Sequence, residues 1–507
     1  MKILTSGQMK RLDEFTIEKE PISPIDLMER ASGKCAEWII SRISDQYVFH
    51  IFCGPGNNGG DGLAIARILT DRGYGVIVSA LVPKSEQCQL NFDRLKQYKN
   101  VALTVITESS EVSYIDPRHI IIDALLGTGF TGITTGLVAE IIRKINLSGA
   151  PVISIDMPSG MHSDQTSLKS GNEIVKATYT LTFHYLKLAL LAGENAPFTG
   201  TIHILNIGLK DSGIDATGIT NNLITENVIR ALYKPKPLFS HKGTFGHSLL
   251  IAGGPGKMGA GILAAKGYLK SGAGLLSIAV PDSEIQIIQI AVPEAMALVY
   301  DQSNPDLPSM NSYKAAGIGP GIGTGECATK LLEQFLEIKD IPVVLDADAL
   351  NILSNNPDWI KRLPKGSVLT PHPGEFKRFA GSWKDDFEKF ELQKKLAMEY
   401  RIYIILKGKN TSIACPDGTI WFNPTGNPGM AKGGSGDILA GLILGLCASG
   451  NSSGEACLIG TWLHGLAGDF ASAHLTQEAM NATDIINFLP AAWKTIISDQ
   501  NKFDHDS

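Results

Sequence analysis

The chain alternates between short apolar runs and stretches in which apolar residues recur at helical spacing. In the first half, helical spacing is found within residues 11–45, and strand-like runs occupy 47–53, 76–82, 119–126 and 151–156. Nearly continuous apolar strands that alternate with helices are typical of a parallel sheet covered on both faces. The pattern therefore predicts an α/β fold for this half.

The second half follows the same pattern with a different sequence. Its strand-like runs begin at residues 247, 274, 315, 342, 367 and 403, and each ends in a polar or glycine-rich loop. Between the halves, residues 208–240 lose the apolar period and contain one plausible helix. We therefore expect two α/β domains, residues 1–218 and residues 219–507.

Three aspartates of the first half fall at or just after predicted strand ends: Asp61, Asp123 and Asp156. Ligands of parallel sheets bind beyond the carboxyl ends of the strands. A single aspartate at such a position is usually a helix cap or a turn residue. Because Asn57, Asn58 and Ser159 accompany the three aspartates, we expect them to form one site.

A glycine-rich segment, residues 54–62, joins the first strand to a predicted helix that begins at Leu63. Strand, glycine-rich turn and helix form the phosphate-cradling arrangement of nucleotide-binding sheets. The segment is not G-x-G-x-x-G, and its Asn and Asp side chains could fix a ligand hydroxyl or coordinate a cation through oxygen.

The second half contains a longer glycine-rich segment, Asn427–Asp437, followed by an apolar run that predicts a helix. Three glycines within four positions allow a tight turn and present successive N–H groups to an anion. Asp437 stands at the junction, where a carboxylate can act as a base toward a hydroxyl while the loop holds phosphate. On this segment alone, an N-capping aspartate after a glycine-rich turn is an equally open interpretation.

The composition excludes several classes of protein. Of 507 residues, 45 are Lys or Arg and 51 are Asp or Glu, and no basic cluster marks a nucleic-acid-binding surface. The seven cysteines show neither paired nor metal-ligand spacing, which fits a reducing compartment. The N-terminus lacks an apolar signal core, and no apolar run is long enough to span a bilayer. We therefore expect a cytoplasmic protein without nucleic-acid or membrane partners.

Five segments of the first half resemble the NAD(P)HX epimerase domain, also called the YjeF N-terminal domain. They are LTSGQM at 4–9, LMERA at 27–31, GPGNNGGDG at 54–62, DALLGTGFTG at 123–132 and IDMPSG at 155–160, and the resemblance covers about residues 1–215. It implies a Rossmann-like, three-layer fold that interconverts the R and S forms of hydrated NADH and NADPH (NADHX and NADPHX).

The resemblance also implies roles for individual residues. Potassium would be bound by Asn58, Asp123 and Ser159, and Asp156 would be catalytic at the hydrated ring. The residues implied to hold the dinucleotide are Asn57, Asn58, Gly59, Gly60, Asp61, Gly127, Thr128, Gly129, Phe130, Thr131, Gly132, Ile133 and Asp156. One departure is His162, where the family commonly has Asp, while the preceding IDMPSG motif is intact.

Six motifs of the second half resemble the ribokinase-like superfamily and, within it, the ADP-dependent NAD(P)HX dehydratase branch (the YjeF C-terminal domain). They are HKGTFG at 241–246, GPGIG at 319–323, DADAL at 346–350, TPHPGE at 370–375, KGKNT at 407–411 and GNPGMAKGGSGD at 426–437. They occur in the family's order across residues 236–490, which favours the anion-hole interpretation of the loop that ends in Asp437.

This resemblance implies that ADP phosphorylates the hydroxyl at C6 of the hydrated nicotinamide, with Asp437 as the base, and that AMP and phosphate are released. The residues implied to bind ADP or AMP are Lys407, Gly408, Lys409, Asn410, Thr411 and Gly436; those implied to bind the hydrated dinucleotide are Ala260, Gly321, Gly323, His372 and Asp437. Magnesium would accompany ADP. Related kinases carry Asn-x-x-Glu near magnesium, and here Glu375 is kept without the Asn, so a metal ligand and a helix-start carboxylate both remain open.

Two other functions remain open from the sequence. The second half could be a ribokinase-like kinase of small alcohols, and the first half could be only a ligand-binding or interaction module. The attached epimerase-like half and the KGKNT segment argue against the first, and the retained aspartates argue against the second. We further expect a homo-oligomer.

Overall fold

The computed structural model describes residues 1–112, 114–169, 171–214 and 218–497. Contacts divide the chain into two compact units, one made chiefly of Lys2–Ile219 and the other chiefly of residues from Thr220 onward. Each unit is built on its own sheet. Within the described ranges, no helix is both long enough and apolar enough to cross a membrane.

The first unit has a seven-stranded parallel sheet. Its strands β1–β7 are Val48–Cys53, Gly75–Ala80, Ala102–Val105, Ile120–Ala124, Val152–Ile155, Tyr179–Phe183 and Thr201–Leu205, and its helices α1–α6 are Ser6–Lys19, Pro24–Ile40, Asn57–Asp71, Glu86–Leu95, Gly136–Leu147 and Ala196–Thr199. The strand order is β3-β2-β1-β4-β5-β6-β7, and all neighbours are parallel. The order reverses between β1 and β4, which is where open α/β sheets bind ligands.

Apolar side chains cover both faces of this sheet. Residues of α2 and α3 pack on one face, and α5 packs on the other through Ile141, Ile142 and Ile145. The buried strand residues have almost no exposure, which explains why their sequence runs are nearly continuously apolar. The three layers confirm the predicted Rossmann-like α/β class.

Two boundaries differ from the sequence-based expectation. The stretch 11–45 forms two helices, because Ser23 caps a new helix that has Pro24 at its first position. Helix α3 begins at Asn57 and not at Leu63. Its glycines permit close packing, since a Cβ on Gly59 would overlap the carbonyl of Gly54.

The second unit has a ten-stranded sheet that is mostly parallel. Its strands β8–β17 are Asn221–Leu223, His247–Ile251, Leu275–Pro281, Met296–Tyr300, Ala315–Ile318, Val343–Leu345, Val368–Leu369, Tyr403–Leu406, Ser412–Ala414 and Ile420–Phe422, in the order β11-β10-β9-β12-β13-β14-β15-β16-β17-β8. Only β16 runs antiparallel to its neighbours. Its helices α7–α16 are Glu226–Leu232, Met258–Leu269, Ile285–Ala291, Glu326–Phe335, Asp348–Asn355, Pro373–Ala380, Asp386–Tyr400, Ser435–Ala448, Ser453–Leu475 and Ala482–Ile497.

Helices α8 and α14 pack unusually closely, and glycines make this possible. A Cβ on Gly441 of α14 would overlap the carbonyl oxygen of Ala264 in α8. A Cβ on Gly267 of α8 would lie 2.5 Å from the carbonyl oxygen of Ile438 in α14. This backbone-to-backbone packing fixes the start of α14, which carries Asp437.

Candidate functional sites

The second unit gathers its predicted site residues at one edge of the sheet. Strands β9, β12, β13, β14 and β15 are adjacent and parallel, so their carboxyl ends lie side by side. The residues that follow these ends include Ala260, Gly321, Gly323, Asp346, His372 and Lys407. The turn between β15 and β16 carries Gly408, Lys409, Asn410 and Thr411, and the Thr411 hydroxyl donates a hydrogen bond to the Gly408 carbonyl at 2.9 Å.

Asp437 lies in the first turn of α14 and is not its N-cap. The N-cap is Gly434, whose φ of 95° is in the left-handed region, and Asp437 is the third helical residue. Gly434 therefore turns the chain so that the unpaired N–H groups of the first helical turn face the loop. This geometry leaves the Asp437 carboxylate available for chemistry beside an anion-binding helix start.

A lysine and several carboxylates surround Asp437. The Lys407 ammonium lies 2.9 Å from Asp346 Oδ1 and 3.9 Å from Glu375 Oε2. Burial alone would lower the pKa of Lys407, but the charges of Asp346 and Glu375 outweigh it and raise that pKa. Burial, followed by the charge of Asp346, raises the pKa of Asp437 to about 6. A carboxylate with this pKa is suited to accept a proton near neutral pH.

Gly436 leaves room for the lysine beside Asp437. A Cβ at this position would lie 3.1 Å from Lys407 Nζ and 3.8 Å from Asp346 Oδ2. The structure thus brings the predicted nucleotide-binding residues Lys407 and Gly436 together with the predicted base.

Of the residues predicted to face the hydrated dinucleotide, Ala260 and Gly321 lie side by side. A Cβ on Gly321 would lie 3.1 Å from Ala260 Cβ, and the Gly323 N–H donates to Asp348 Oδ2 at 2.8 Å. His372 caps α12, because its Nδ1 accepts the N–H of Gly374 at 3.0 Å.

Glu375 acts as a helix-start carboxylate in this structure. Its Oε2 accepts the backbone N–H of His372 at 2.8 Å and completes a capping box. The same carboxylate faces Lys407, so its charge also contributes to the field around the base.

Helix α15 holds the glycine-rich loop in place through two side chains that the sequence reasoning did not assign. His464 Nε2 lies 2.9 Å from the carbonyl oxygen of Ser435, and Asp469 accepts the Gly426 N–H at 2.9 Å and the Asn427 side-chain amide at 3.0 Å. Burial lowers the pKa of His464 to about 4, so its ring is neutral at physiological pH. A neutral ring can donate this hydrogen bond without adding a positive charge to the loop.

The first unit contains a cavity of about 250 Å³ at the carboxyl edge of its sheet. Four of the predicted dinucleotide-binding residues line it: Asn57, Asp61, Thr128 and Asp156. Met9 of the LTSGQM segment lines it as well, and so do Asp13, Phe183 and Lys187, to which no motif pointed. Asp61 accepts the Ser32 hydroxyl at 3.1 Å, and burial raises its pKa well above the ordinary value.

Asp156 is held in a strained conformation that directs its carboxylate at the cavity. Its φ is 66°, a left-handed value that is uncommon for a residue other than glycine. The Lys187 ammonium donates to Oδ1 at 2.6 Å, and the Thr128 N–H donates to Oδ2 at 3.1 Å. Strain that surrounding contacts maintain is typical of catalytic positions.

Asp123 is fully buried, and its carboxylate accepts hydrogen bonds from neighbouring loop and strand residues. It accepts hydrogen bonds from the Ser159 hydroxyl at 2.5 Å, the Ser159 N–H at 2.9 Å and the Ser154 hydroxyl at 2.8 Å. Burial raises its pKa, while these hydrogen bonds oppose that rise. The Ser159 hydroxyl also accepts the N–H of Leu126 at 2.8 Å, so the pair joins two loops.

Asn58 is the one predicted potassium ligand whose polar atoms are left open. Its amide oxygen and nitrogen are both buried, and neither has a hydrogen-bond partner among the described residues. It lies near Asp156, since a Cβ on Gly127 would be 3.3 Å from both Asn58 Cβ and Asp156 Oδ2. A buried amide without partners indicates a position where an external group supplies the missing interaction.

His162, which stands where the family commonly has Asp, anchors a loop of the first unit. This loop contains Gly127, Thr128, Gly129, Phe130, Thr131, Gly132 and Ile133. His162 is buried, with Nε2 2.6 Å from the Gly132 carbonyl oxygen and Nδ1 3.1 Å from that of Thr166. Its ring also packs against Phe130, with 5.4 Å between ring centroids. The histidine at this position thus contacts the loop that is predicted to bind the dinucleotide.

Comparison with known proteins places both halves in one family. The family model of NAD(P)H-hydrate dehydratase matches residues 248–491, and that of the YjeF-related protein N-terminus matches residues 24–189. The bifunctional NAD(P)H-hydrate repair enzyme Nnr of Moorella thermoacetica is 35% identical over 97% of this chain and 96% of its own. The protein of the same name from Escherichia coli is 31% identical over 94% of this chain and 91% of its own.

Solved structures similar to the second half include a dehydratase from Bacillus subtilis. The ADP/ATP-dependent NAD(P)H-hydrate dehydratase of Bacillus subtilis, co-crystallised with ATP and Mg²⁺, is 36% identical and covers 54% of this chain and 98% of its own, with a TM-score of 0.49.

Proposed function

This chain belongs to the bifunctional NAD(P)H-hydrate repair enzymes, and on that premise we propose how its two units divide the reaction. The first unit interconverts the R and S forms of NADHX and NADPHX. The second unit converts the S form to NADH or NADPH with ADP, releasing AMP and phosphate. The observation that carries this proposal is Asp437, poised with a pKa of about 6 beside the glycine-rich start of α14.

In the second unit, Asp437 accepts the proton of the C6 hydroxyl while that oxygen attacks the terminal phosphorus of ADP. The bond from this phosphorus to its bridging oxygen breaks, and AMP leaves with the electron pair. The N–H groups at the start of α14 and the Lys407 ammonium stabilise the charge that develops on the phosphoryl oxygens. The ring nitrogen then expels phosphate from C6, and loss of a proton from C5 restores the dihydropyridine.

Magnesium would enter this site together with ADP. Within the described part of the chain, no three His, Cys, Asp or Glu side chains are arranged to hold a metal ion. The carboxylates nearest the base, Asp346 and Glu375, already face Lys407. This arrangement fits a cation that is bound mainly by nucleotide phosphates and water, where it would neutralise phosphate charge.

Potassium would be held in the first unit by Asn58, Asp123 and Ser159. Their amide, carboxylate and hydroxyl oxygens suit a hard cation, and the unpartnered Asn58 amide supports the assignment. We expect potassium to raise the melting temperature of the protein more than lithium does, and Asn58→Ala to remove the difference. An unchanged potassium effect in Asn58→Ala would contradict this ligand.

In the first unit, the Asp156 carboxylate would contact the hydrated ring, with Thr128 and Lys187 fixing its two oxygens. The cavity that it faces is lined by residues of the same unit. Inversion at C6 requires proton transfer at the hydroxyl, and Asp156 is placed to take part in it.

Two substitutions test the division of labour. We expect Asp437→Asn to abolish AMP formation and to leave exchange between the epimers intact. We expect Asp156→Asn to abolish exchange between the epimers and, when the S form is supplied, to leave AMP formation intact. The assay separates the epimers, NADH, ADP and AMP by chromatography, and ATP is tested in parallel with ADP.

Two outcomes would redirect the proposal. Normal exchange in Asp156→Asn would favour a binding module in the first unit. Phosphoryl transfer to small alcohols, without dehydration of the S form, would favour a ribokinase-like kinase in the second.

A further inference from the structure

The cavity of the first unit contains an acidic side chain that no motif explained. Asp13 lies on α1 and lines the same cavity as Asp156, Asp61 and Lys187. Within the described ranges, its carboxyl makes no hydrogen bond and no ion pair, although it is mostly shielded from solvent. A carboxyl group in such a position is available for a ligand.

Asp13 and Asp156 face the same space but have different surroundings. Asp156 receives the Lys187 ammonium and the Thr128 N–H, which stabilise a negative charge. Asp13 has no such partner, and burial, followed by the charge of Asp156, raises its pKa to about 7. Two carboxyl groups that face one cavity, one hydrogen-bonded by a lysine and one with a raised pKa, can act as a base and an acid.

We propose that Asp13 is a second proton-transfer residue of the epimerase site, acting with Asp156, and that buried Lys187 positions Asp156 for this exchange. The inference rests on the epimerase function proposed above. Lys187 is only 1% exposed and also donates to the Thr182 hydroxyl at 2.8 Å, so its ammonium is fixed from both sides. It acts through Asp156 and is therefore a positioning residue.

Inversion at C6 can proceed by opening and closing of the ring. Asp156 takes the proton of the C6 hydroxyl, the oxygen lone pair forms the carbonyl, and the C6–N1 bond breaks with its electrons passing to N1. Asp13 donates a proton to N1, which becomes a neutral amine conjugated with the carboxamide. After rotation about C5–C6, N1 attacks the other face of the carbonyl and both protons return, so no oxidant or co-reactant is needed.

The decisive variant is Asp13→Asn, with Glu14→Gln as its matched control. Glu14 is the next residue on α1, is exposed and does not line the cavity. We expect Asp13→Asn to lower the epimerase kcat by about 100-fold or more with little change in KM, and Asp13→Glu to regain part of the rate. Glu14→Gln should behave as the wild type.

The pH profile provides a second readout. The groups that face Asp13 are Asp156, Lys187 and Asp61 from other elements and Glu14 on its own helix. Because Asp13 must be protonated to donate, the wild-type rate above the spontaneous background should fall as the pH rises through about 7. This decline should be absent in Asp13→Asn.

Dehydration of the S form by the same protein reports whether the second unit is intact, and the melting transition that ADP does not raise reports whether the first unit of each variant is folded. Lys187→Met should lower the epimerase kcat with an unchanged KM and unchanged dehydration. An unaltered kcat in Asp13→Asn, or a decline above pH 7 that persists in it, would overturn the role of Asp13. An unaltered kcat in Lys187→Met would overturn the positioning role, and a wild type without epimer exchange would contradict the proposed function itself.

Discussion

Replacing Asp437 by asparagine should abolish dehydration and, at neutral pH, stabilise the second unit. Burial, followed by the charge of Asp346, raises the pKa of Asp437 from 3.8 to about 6. The folded protein therefore binds this proton more tightly than the unfolded chain does. Its stability falls as the pH rises from about 4 to about 6 and stays reduced above that range. Asparagine has nearly the same shape and no charge, so this loss should disappear in the variant.

The size of the effect follows from the same two pKa values. A pKa that moves from 3.8 to about 6 lowers the free energy of unfolding by about 3 kcal/mol once the group is ionised, at about 1.4 kcal/mol for each tenfold change in proton affinity. Asp437 is only partly buried, and screening by solvent reduces this to about 1–2 kcal/mol. For a unit of this size the gain corresponds to a rise in melting temperature of roughly 2–6 °C.

Scanning calorimetry at about pH 8 and about pH 5 measures this directly. The transition of the second unit is identified as the one that ADP raises. We expect Asp437→Asn to melt higher at the higher pH and the difference to shrink at the lower pH. Asp358→Asn, at an exposed position, serves as a control without this pH-dependent gain. A lower melting temperature in Asp437→Asn, or an equal gain at both pH values, would refute the reasoning.

Other residues give further tests. The kcat for dehydration should fall as the pH drops below about 6, because protonated Asp437 cannot accept the hydroxyl proton; a flat profile would contradict its role as base. Gly434→Ala should reduce both melting temperature and turnover, since its φ is 95° and a Cβ would overlap a leucine, whereas a Cβ on Gly433 meets nothing within 4 Å, so Gly433→Ala should leave the melting temperature unchanged. His162→Phe removes the hydrogen bond to the Gly132 carbonyl and should raise the KM for epimerisation by loosening the loop 127–133; an unchanged KM would show that this hydrogen bond is not needed.

Much of the fold could be predicted from the sequence because buried parallel strands leave a strong local pattern. The runs around β1, β4 and β5 are almost entirely apolar, and each is followed by a loop with Gly or Asp. The glycine-rich motifs could be recognised because positions such as Gly434 and Gly59 admit no other side chain without overlap or strain.

Other features depend on contacts between residues far apart in the chain. Asp13 and Lys187 lie on different elements, and only the folded sheet brings them to the cavity of Asp156. His464 resembles any buried helical histidine until α15 packs beside the start of α14. The open amide of Asn58 is likewise visible only once its surroundings are known. Local periodicity contains no information about these long-range pairings.

The central claim is that one chain repairs both epimers of the hydrated cofactor. The most direct measurement incubates the purified protein with a mixture of R and S NADHX, magnesium, potassium and ADP, and follows NADH absorbance together with AMP. The account predicts that NADH formation consumes both epimers at a rate well above spontaneous exchange and yields one AMP for each NADH. Conversion that stops when the S form is exhausted, or NADH formation without AMP, would contradict it.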